Sequence, residues 1–435
     1  MVSLGAFVSA FRTPDLRAKI LFTLGIMALF RFGSFIPTPG VDFRNVRECL
    51  ALAETSGVFG LINLFSGGAL LQLSIFALGI LPYITASIIV QLLTVVIPRF
   101  EELKKEGQAG TAKLTQYTRY LTIGLAILQS TTFVSLARDN SIFGGACSPE
   151  QFPVIPDQSI PVLVLMITTM TAGTGLVMWL GELITAKGVG NGMSLLIFTS
   201  IAATFPSSLW AIATQQSIET MLVVVAVGLV IVALVVLVEQ SQRRIPVQYA
   251  KRMVGQRAYG GTSTYIPLKV NMAGVIPVIF ASSLLYLPAL VSQFSPESEW
   301  ALWIGRYFVT GDHPFYMLAY FLLIVFFTFF YVAITFNPDD VAENMRKYGG
   351  FIPGIRAGRP TAEYLDYVIT RITFPGSIYL GLIALIPLVA IVLVGANQNF
   401  PFGGASILIV VGVGLETVKQ IQSQLQQRNY EGFLR

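Results

Sequence analysis

Few residues of this 435-residue chain are of the types that carry out covalent chemistry. One histidine, His313, and two cysteines, Cys49 and Cys147, are too few for the two-histidine or four-cysteine sets that bind zinc. The sequence also lacks the Gly-x-x-x-x-Gly-Lys-Ser/Thr loop that cradles nucleotide phosphates. The two cysteines are candidates for a disulfide, which the sequence alone leaves open. We therefore expect neither an enzyme nor a bound cofactor.

Charged residues near apolar segments are the other candidates for chemistry. Glu182, Glu239 and Glu416 lie at or near the ends of apolar segments, and Arg31 lies inside one. Ion-coupled carriers place ionisable groups at mid-membrane depth, and the segments contain almost none. Snorkelling or structural pairing is the simpler interpretation of Arg31 and Glu416, with a transport role as the alternative.

The overall composition is that of a membrane protein. Apolar residues of the AVILMFWYC set make up 54% of the chain, charged residues make up 12%, and the mean hydropathy is +0.70. Soluble domains, by contrast, are about one quarter charged. Apolar runs near the roughly 20 residues that cross a bilayer occur at 18–37, 72–97, 117–137, 159–181, 192–209, 220–240, 270–292, 315–336, 370–395 and 405–422. The sequence therefore predicts an all-α integral membrane protein with ten transmembrane helices.

The basic residues orient these spans. Of the 28 Lys and Arg residues, the loops on one side hold only Arg44, Arg47, Arg138 and Arg306. By the positive-inside rule, both termini are expected in the cytoplasm. A division into residues 1–210 and 211–435 gives two halves of five spans. These halves would cross the membrane in opposite directions, as in an inverted repeat.

Three loops between the spans carry further information. The apolar run 57–68 is too short to span, so we expect it to fold back on the outer side as a surface helix or a re-entrant segment. The loop 241–269 is basic, and the loop 337–369 has a basic tip flanked by acidic residues. The positive-inside rule would by itself account for the basic residues of these loops. The Gly- and Pro-rich tip at 349–360, with apolar residues beside arginines, instead favours docking to a protein or to RNA phosphates.

Four stretches together resemble one known family: 66–70 with 74–84, 179–182 with 188–192, 268–277, and 351–359. They resemble the SecY/Sec61-alpha family of protein-conducting channels, and the match covers essentially the whole chain. The resemblance implies two inverted five-helix halves around a central pore, closed by a re-entrant plug. It also implies a function: translocating unfolded preproteins across the cytoplasmic (inner) membrane and releasing transmembrane segments laterally into it.

The resemblance also implies three sets of channel residues. The pore ring would consist of Ile80, Ile84, Met193, Ile197, Ile279 and Ile409. The plug would include Phe59, Leu61, Ile62, Asn63, Leu64 and Phe65. The lateral gate would include Ile88, Asn271 and Ile276, and Asn271 would either form a polar contact across the gate or cap the following helix. Spacing supports part of the ring, since Ile80 and Ile84 are four residues apart and share one helix face.

Partners, rather than cofactors, follow from the same resemblance. The basic loops would receive the SecA motor ATPase or the ribosome through Arg243, Arg244, Lys251, Arg252, Arg257, Arg346, Lys347, Arg356 and Arg359. SecE and SecG would be the stable membrane subunits. Signal sequences and nascent polypeptides would pass through the channel, and signal-sequence binding and motor or ribosome docking would gate it. Further Sec accessory proteins and anionic lipids complete the expected contacts.

Two other functions fit parts of the sequence. A secondary carrier for small solutes shares the many spans and inverted halves, but it predicts buried ionisable residues that the spans lack. An intramembrane protease needs a Ser–His pair, a carboxylate pair or a metal site within the membrane, whereas His313 lies in a predicted outer loop beside Asp312 and Pro314. The channel interpretation is the one that the whole sequence favours.

Overall fold

A computed structural model describes most of the chain. The described residues are 11–52, 66–143, 147–148, 150–215, 218–249, 252–254, 257–259, 263–293, 298–309, 313–394 and 404–431. Helices dominate them: α1 Pro14–Gly33, α2 Phe43–Leu52, α3 Leu81–Val96, α4 Pro98–Lys105, α5 Gln108–Arg138, α6 Ile160–Lys187, α7 Gly192–Gln215, α8 Ile218–Gln240, α9 Ile276–Gln293, α10 Glu299–Ile304, α11 Pro314–Thr335, α12 Pro338–Lys347, α13 Arg359–Val394 and α14 Gly404–Glu431. The predicted helical class is confirmed.

The long helices fall at the predicted spans. By length and composition, five described helical stretches can cross a membrane: Gln108–Arg138, Ile160–Lys187, Met221–Gln240, Pro314–Lys347 and Arg359–Ile386. A sixth is obtained if α3 and α4, which are bent by 100° at a short break, count as one span. Helices α1, α7, α9 and α14 occupy the remaining predicted positions, and they are shorter, less apolar or more charged.

The second predicted span begins later than expected. Its helix starts at Leu81 rather than at residue 72, because residues 67–80 form successive turns interrupted by one isolated β-bridge at Ser74. Gly67, Gly68, Gly79 and Leu73 all have positive φ in this segment, a conformation that interrupts a right-handed helix. The segment is tied to the chain after α1: the Thr38 amide donates to the Leu73 carbonyl, and the Ile75 amide donates to the Ile36 carbonyl, each at 2.9 Å.

Two segments that the sequence predicts on the outer side are joined by a disulfide. Cys49 in α2 is bonded to Cys147, and their Cα atoms are 5.7 Å apart. Both cysteines are buried. The question that the sequence left open is answered in favour of pairing.

The two long loops on the predicted cytoplasmic side form one structure. The strands β1 Gln242–Tyr249, β4 Ser263–Lys269 and β5 Gly350–Phe351 make an antiparallel sheet in the order β4-β1-β5. A separate hairpin joins β2 Arg252–Val254 to β3 Arg257–Tyr259. We call the three-stranded sheet, α12 and the start of α13 the loop body. From the sequence we predicted two separate loops, but β1 pairs with β4 of its own loop and with β5 of the other loop.

Local sequence signals explain how the loop body is built. In β1 the side chains of Ile245 and Val247 are buried and their neighbours are exposed, which is the two-residue period of a half-buried strand. Helix α12 begins at Pro338 after Asn337, whose side chain accepts a hydrogen bond from the Asp339 amide at 3.1 Å. Acidic residues in the first turn of α12 and basic residues in its last turn complement the helix dipole.

Candidate functional site

The six predicted ring residues lie in one apolar cluster, although they come from four helices and a loop end. Ile80 immediately precedes α3, Ile84 lies in α3, Met193 and Ile197 lie in α7, Ile279 lies in α9, and Ile409 lies in α14. Four of them, Ile80, Ile197, Ile279 and Ile409, are buried, and Ile84 and Met193 are partly buried against them. We call this group of six with its apolar neighbours the ring cluster. It draws side chains from both predicted halves of the chain.

The ring cluster includes residues that the sequence did not single out. Phe76 lies in it, and its ring stacks on that of Phe30 in α1 with centroids 5.9 Å apart. Leu180 and Ile184 of α6 also belong to it. The sequence could have indicated Phe76, since it lies four residues before Ile80 in the same family-like stretch, 74–84. An apolar surface of this kind offers hydrated ions no polar partner, so a constriction formed by it excludes them.

Glycines explain how α6 and α7 approach closely enough to bring Met193 into the cluster. A Cβ atom on Gly181 would lie 2.5 Å from the Met193 sulfur. One on Gly192 would lie 1.8 Å from the Gly181 carbonyl oxygen. Gly192 therefore lets the main chains of α6 and α7 come into direct contact, and Gly181 leaves the space that the Met193 side chain occupies.

Two of the predicted gate residues, Ile88 and Ile276, lie on α3 and α9. The two helices are in contact, and Ile88 of α3 and Ile276 of α9 belong to one apolar cluster. Asn271 is buried and lies before α9. Its Nδ2 donates to Glu239 Oε1 at 2.5 Å and to the Gly274 carbonyl at 3.1 Å. Among the described residues its hydrogen bonds therefore run to α8 and to its own loop, and a role in gating stays a prediction.

The predicted plug residues Phe59, Leu61, Ile62, Asn63, Leu64 and Phe65 lie outside the described residues. The chain that follows them is described from Ser66 onward. Gly67 has a positive φ of 68°, and its carbonyl accepts a hydrogen bond from Arg31 Nη1 at 2.5 Å. Arg31 thus has a main-chain partner, which agrees with the structural pairing considered for it.

One arginine–carboxylate pair links two spans. Arg119 of α5 donates through Nε and Nη2 to the two carboxylate oxygens of Glu182 in α6, at 2.9 and 2.7 Å. This two-bond geometry is the strong form of an arginine–carboxylate contact. In the described part of the chain, no group of three or more His, Cys, Asp or Glu residues is arranged to hold a metal ion. The Arg119–Glu182 pair therefore joins two helices.

Four of the basic docking residues predicted in the first loop lie in its strands. Arg243 and Arg244 of β1 are exposed, and the Arg244 guanidinium lies 4.8 Å from the centroid of the Tyr265 ring. Such a cation–π contact presents a flat, charged surface to solvent. Arg252 and Arg257 lie in the hairpin, where the main chain of Arg252 pairs with that of Tyr259 and the main chain of Val254 pairs with that of Arg257. Lys251 lies outside the described residues.

Basic residues of the second loop surround a turn-rich tip. Gly349, Gly354 and Gly358 have positive φ values of 70°, 85° and 108°, which fixes the path of the chain between α12 and α13. Lys347 pairs with Glu343 at 3.3 Å and Arg359 with Glu363 at 3.1 Å. Arg346 and Arg356 are exposed, and neither guanidinium forms an ion pair with a described residue. Within the tip and the helix before it, these two arginines are the charges most available to a partner.

Known proteins match the chain along almost its whole length. A family model described as SecY matches residues 74–418. The chain is similar to Protein translocase subunit SecY of Streptomyces galbus, at 69% identity over 99% of this chain and 100% of the relative. It is also similar to the subunit of the same name from Mycobacterium tuberculosis, at 60% identity over 99% of this chain and 100% of the relative.

Solved structures match the fold. A protein conducting channel is similar with a TM-score of 0.64 and 19% identity, covering 93% of this chain and 91% of that one. A SecY channel from work on how its plug domain stabilises the closed state is similar with a TM-score of 0.62, at 19% identity and the same coverage. At these identities the likeness concerns the fold.

Proposed function

The chain belongs to the SecY family and is thus a multi-pass protein translocase subunit rather than an enzyme, and from that premise we propose how its residues form a protein-conducting channel. Residues 1–210 and 211–435 act as two inverted halves around a central pore. The pore passes unfolded preproteins across the membrane and opens sideways to release transmembrane segments into lipid.

The ring cluster is the observation that best supports this proposal. Ile80, Ile84, Met193, Ile197, Ile279 and Ile409 form the constriction, since they come from distant parts of the chain and meet in one apolar group. A narrow apolar ring excludes hydrated ions by dewetting and offers no polar site that would retain a passing polypeptide. The thioether of Met193 is flexible, so it adapts to side chains of different size.

The plug and the gate control access to this constriction. The run 57–68 closes the outer side at rest. Ile88, Asn271 and Ile276 contribute to a gate between α3 and α9, whose packing must be reversible. Hydrophobic signal sequences bind at this seam and separate the two helices, because their apolar side chains replace the contacts that the helices lose.

The loop body receives the partners. The exposed arginines of the sheet face and the tip, Arg356 above all, dock the SecA motor or a translating ribosome, and SecE and SecG complete the channel within the membrane. Arginine suits acidic protein surfaces and RNA phosphates alike, because its planar fork pairs with both. The chain resides in the cytoplasmic membrane with both termini in the cytoplasm, in keeping with its positive-inside bias. Sec accessory proteins and anionic lipids are further contacts.

Reconstitution tests the proposed function. The chain is placed in proteoliposomes with SecE-, SecG- and SecA-type partners, and protection of a signal-bearing preprotein from added protease is measured with and without ATP. We expect ATP-dependent protection that is lost when the signal sequence is deleted or when the chain is omitted. Absence of protection with demonstrably active partners, together with counterflow of a small solute, would favour a carrier and overturn the proposal.

A further inference from the structure

Arg31 is the cation that the sequence places inside the first membrane span, and neither the ring nor the docking surface uses it. A cation at that depth is costly unless it is paired. Its Nη1 donates to the Gly67 carbonyl at 2.5 Å, and its guanidinium carbon lies 4.6 Å from the centroid of the Phe35 ring. The side chain is thus held by two different contacts, one of them to the main chain of a distant segment.

Gly67 is fixed from two sides. A Cβ atom at this position would lie 3.0 Å from Arg31 Nη1 and 3.1 Å from the Cα atom of Ser200 in α7. Its φ of +68° is one that L side chains rarely adopt. Gly67 therefore lies between α1 and α7 in a position that only glycine fills without displacing a neighbour.

The segment 66–80 connects this contact to the ring cluster. Its residues 67–80 are not helical, so their position depends on contacts with their surroundings rather than on a hydrogen-bond ladder of their own. Two main-chain hydrogen bonds, Thr38 to Leu73 and Ile75 to Ile36, hold its middle. Its last residue, Ile80, enters the ring cluster. Arg31 holds the beginning of the same segment.

We propose that Arg31 is a positioning residue for the constriction: through Gly67 it fixes the segment 66–80 and so keeps Ile80 in the closed ring. The inference rests on the proposed channel function. An arginine is needed because one N–H of the planar guanidinium bonds the carbonyl while its face lies on Phe35. Lysine, a compact charge with a flexible stem, reproduces only part of this geometry.

Resting ion leak tests the proposal directly. Purified channel is reconstituted with its membrane partners, and dissipation of an imposed potassium gradient is measured without preprotein. Loss of a hydrogen bond to a charged donor is expected to raise the leak about tenfold in Arg31→Gln, and Arg31→Lys should restore part of the seal. Arg371→Gln is the matched control, because Arg371 also lies over an aromatic ring, that of Tyr367 at 5.3 Å, but lies on α13.

A glycine pair tests the same contact from its other side. Gly67→Ala pushes against Arg31 and Ser200, whereas the nearest atom to a Cβ on Gly68 is 4.0 Å away. Both glycines have positive φ, 68° and 87°, so alanine strains the backbone at each. We expect Gly67→Ala to leak clearly more than Gly68→Ala. If Arg31→Gln does not fold, this pair still decides the matter.

The outcomes separate this inference from the proposed function. A wild-type channel that translocates preprotein, together with Arg31→Gln and Gly67→Ala channels no leakier than Arg371→Gln and Gly68→Ala, overturns the role of Arg31 and leaves the channel proposal intact. A wild-type chain that fails to translocate with active partners overturns the channel proposal instead. Leak in Arg31→Gln with partial rescue by Arg31→Lys supports the inference, since a general loss of folding would not depend on the retained charge.

Discussion

The ring cluster and the core of the loop body are both apolar, but the main chain supports them differently. In the loop body, hydrogen bonds join β1 to β4 and to β5, so strands from two loops enclose Ile245, Val247 and Leu268. The six ring residues lie on or next to α3, α7, α9 and α14, and helices satisfy their main-chain groups internally. Among the described residues, apolar side-chain packing brings those helices together at the ring, which suits the proposed closure, since such packing can open and re-form.

The loop body should therefore lose the most stability when its core is truncated. Leu365 in α13 is fully buried there, and Leu365→Ala is expected to lower the free energy of unfolding by about 2–5 kcal/mol, through lost burial and a residual cavity. Hydrogen exchange at the β1 amides measures this loss. Tyr367→Ala, on the same helix at 58% exposure, is the control. Equal exchange in both variants would contradict a self-supporting core.

The sequence was sufficient for the fold class, because apolar runs of spanning length and the motifs of the family can be read locally. The six ring residues came from the resemblance, and although they meet in one apolar cluster, their role in a pore stays a prediction. It placed the start of the second helix wrongly at residue 72, although Gly67, Gly68 and Gly79 were visible as possible interruptions. The late start at Leu81 follows from positive φ at those glycines and from the bonds to Thr38 and Ile36.

Contacts between distant segments were beyond the sequence. The alternation of Ile245 and Val247 could have suggested β1, but nothing local indicates that β1 also pairs with Gly350–Phe351 about a hundred residues later. The Asn271 contact with Glu239 and the Arg31 contact with Gly67 are of the same kind. Each needs the packed arrangement of helices before the partner can be identified.

A conservative truncation in the ring cluster should have a smaller effect on stability and a specific effect on the seal. Ile409 is 1% exposed, and Ile409→Val removes one methylene, which costs about 0.5–1.5 kcal/mol. We expect a modest fall in melting temperature with a measurable rise in resting ion leak. Leu365→Ala should show the reverse pattern, with a large loss of stability in the loop body and an unchanged leak.

Ile127→Val is the control for the ring, since Ile127 is 48% exposed on α5 and lies away from the ring cluster. It makes the same chemical change at a position that does not face the constriction. A leak that rises equally in both variants would mean that Ile409 has no special part in the seal.

The smallest effect on stability is expected at the tip of the loop body. Arg356 is exposed and forms no ion pair with a described residue, so Arg356→Glu should change the free energy of unfolding by no more than about 0.5 kcal/mol. The same change reverses a charge on the proposed docking surface. We therefore expect weaker motor- or ribosome-dependent translocation, most clearly at low ionic strength, where opposite charges attract over longer distances.

Arg99→Glu separates docking from a general effect of charge. Arg99 is also exposed on the predicted cytoplasmic side, where it pairs with Glu102 at 3.3 Å, but it lies in α4 outside the loop body. Partner-dependent protection of a preprotein should fall in Arg356→Glu and stay near the wild-type value in Arg99→Glu. Normal translocation by Arg356→Glu would remove this residue from the docking surface. The packed core of the loop body would then serve some purpose other than holding Arg356 in place.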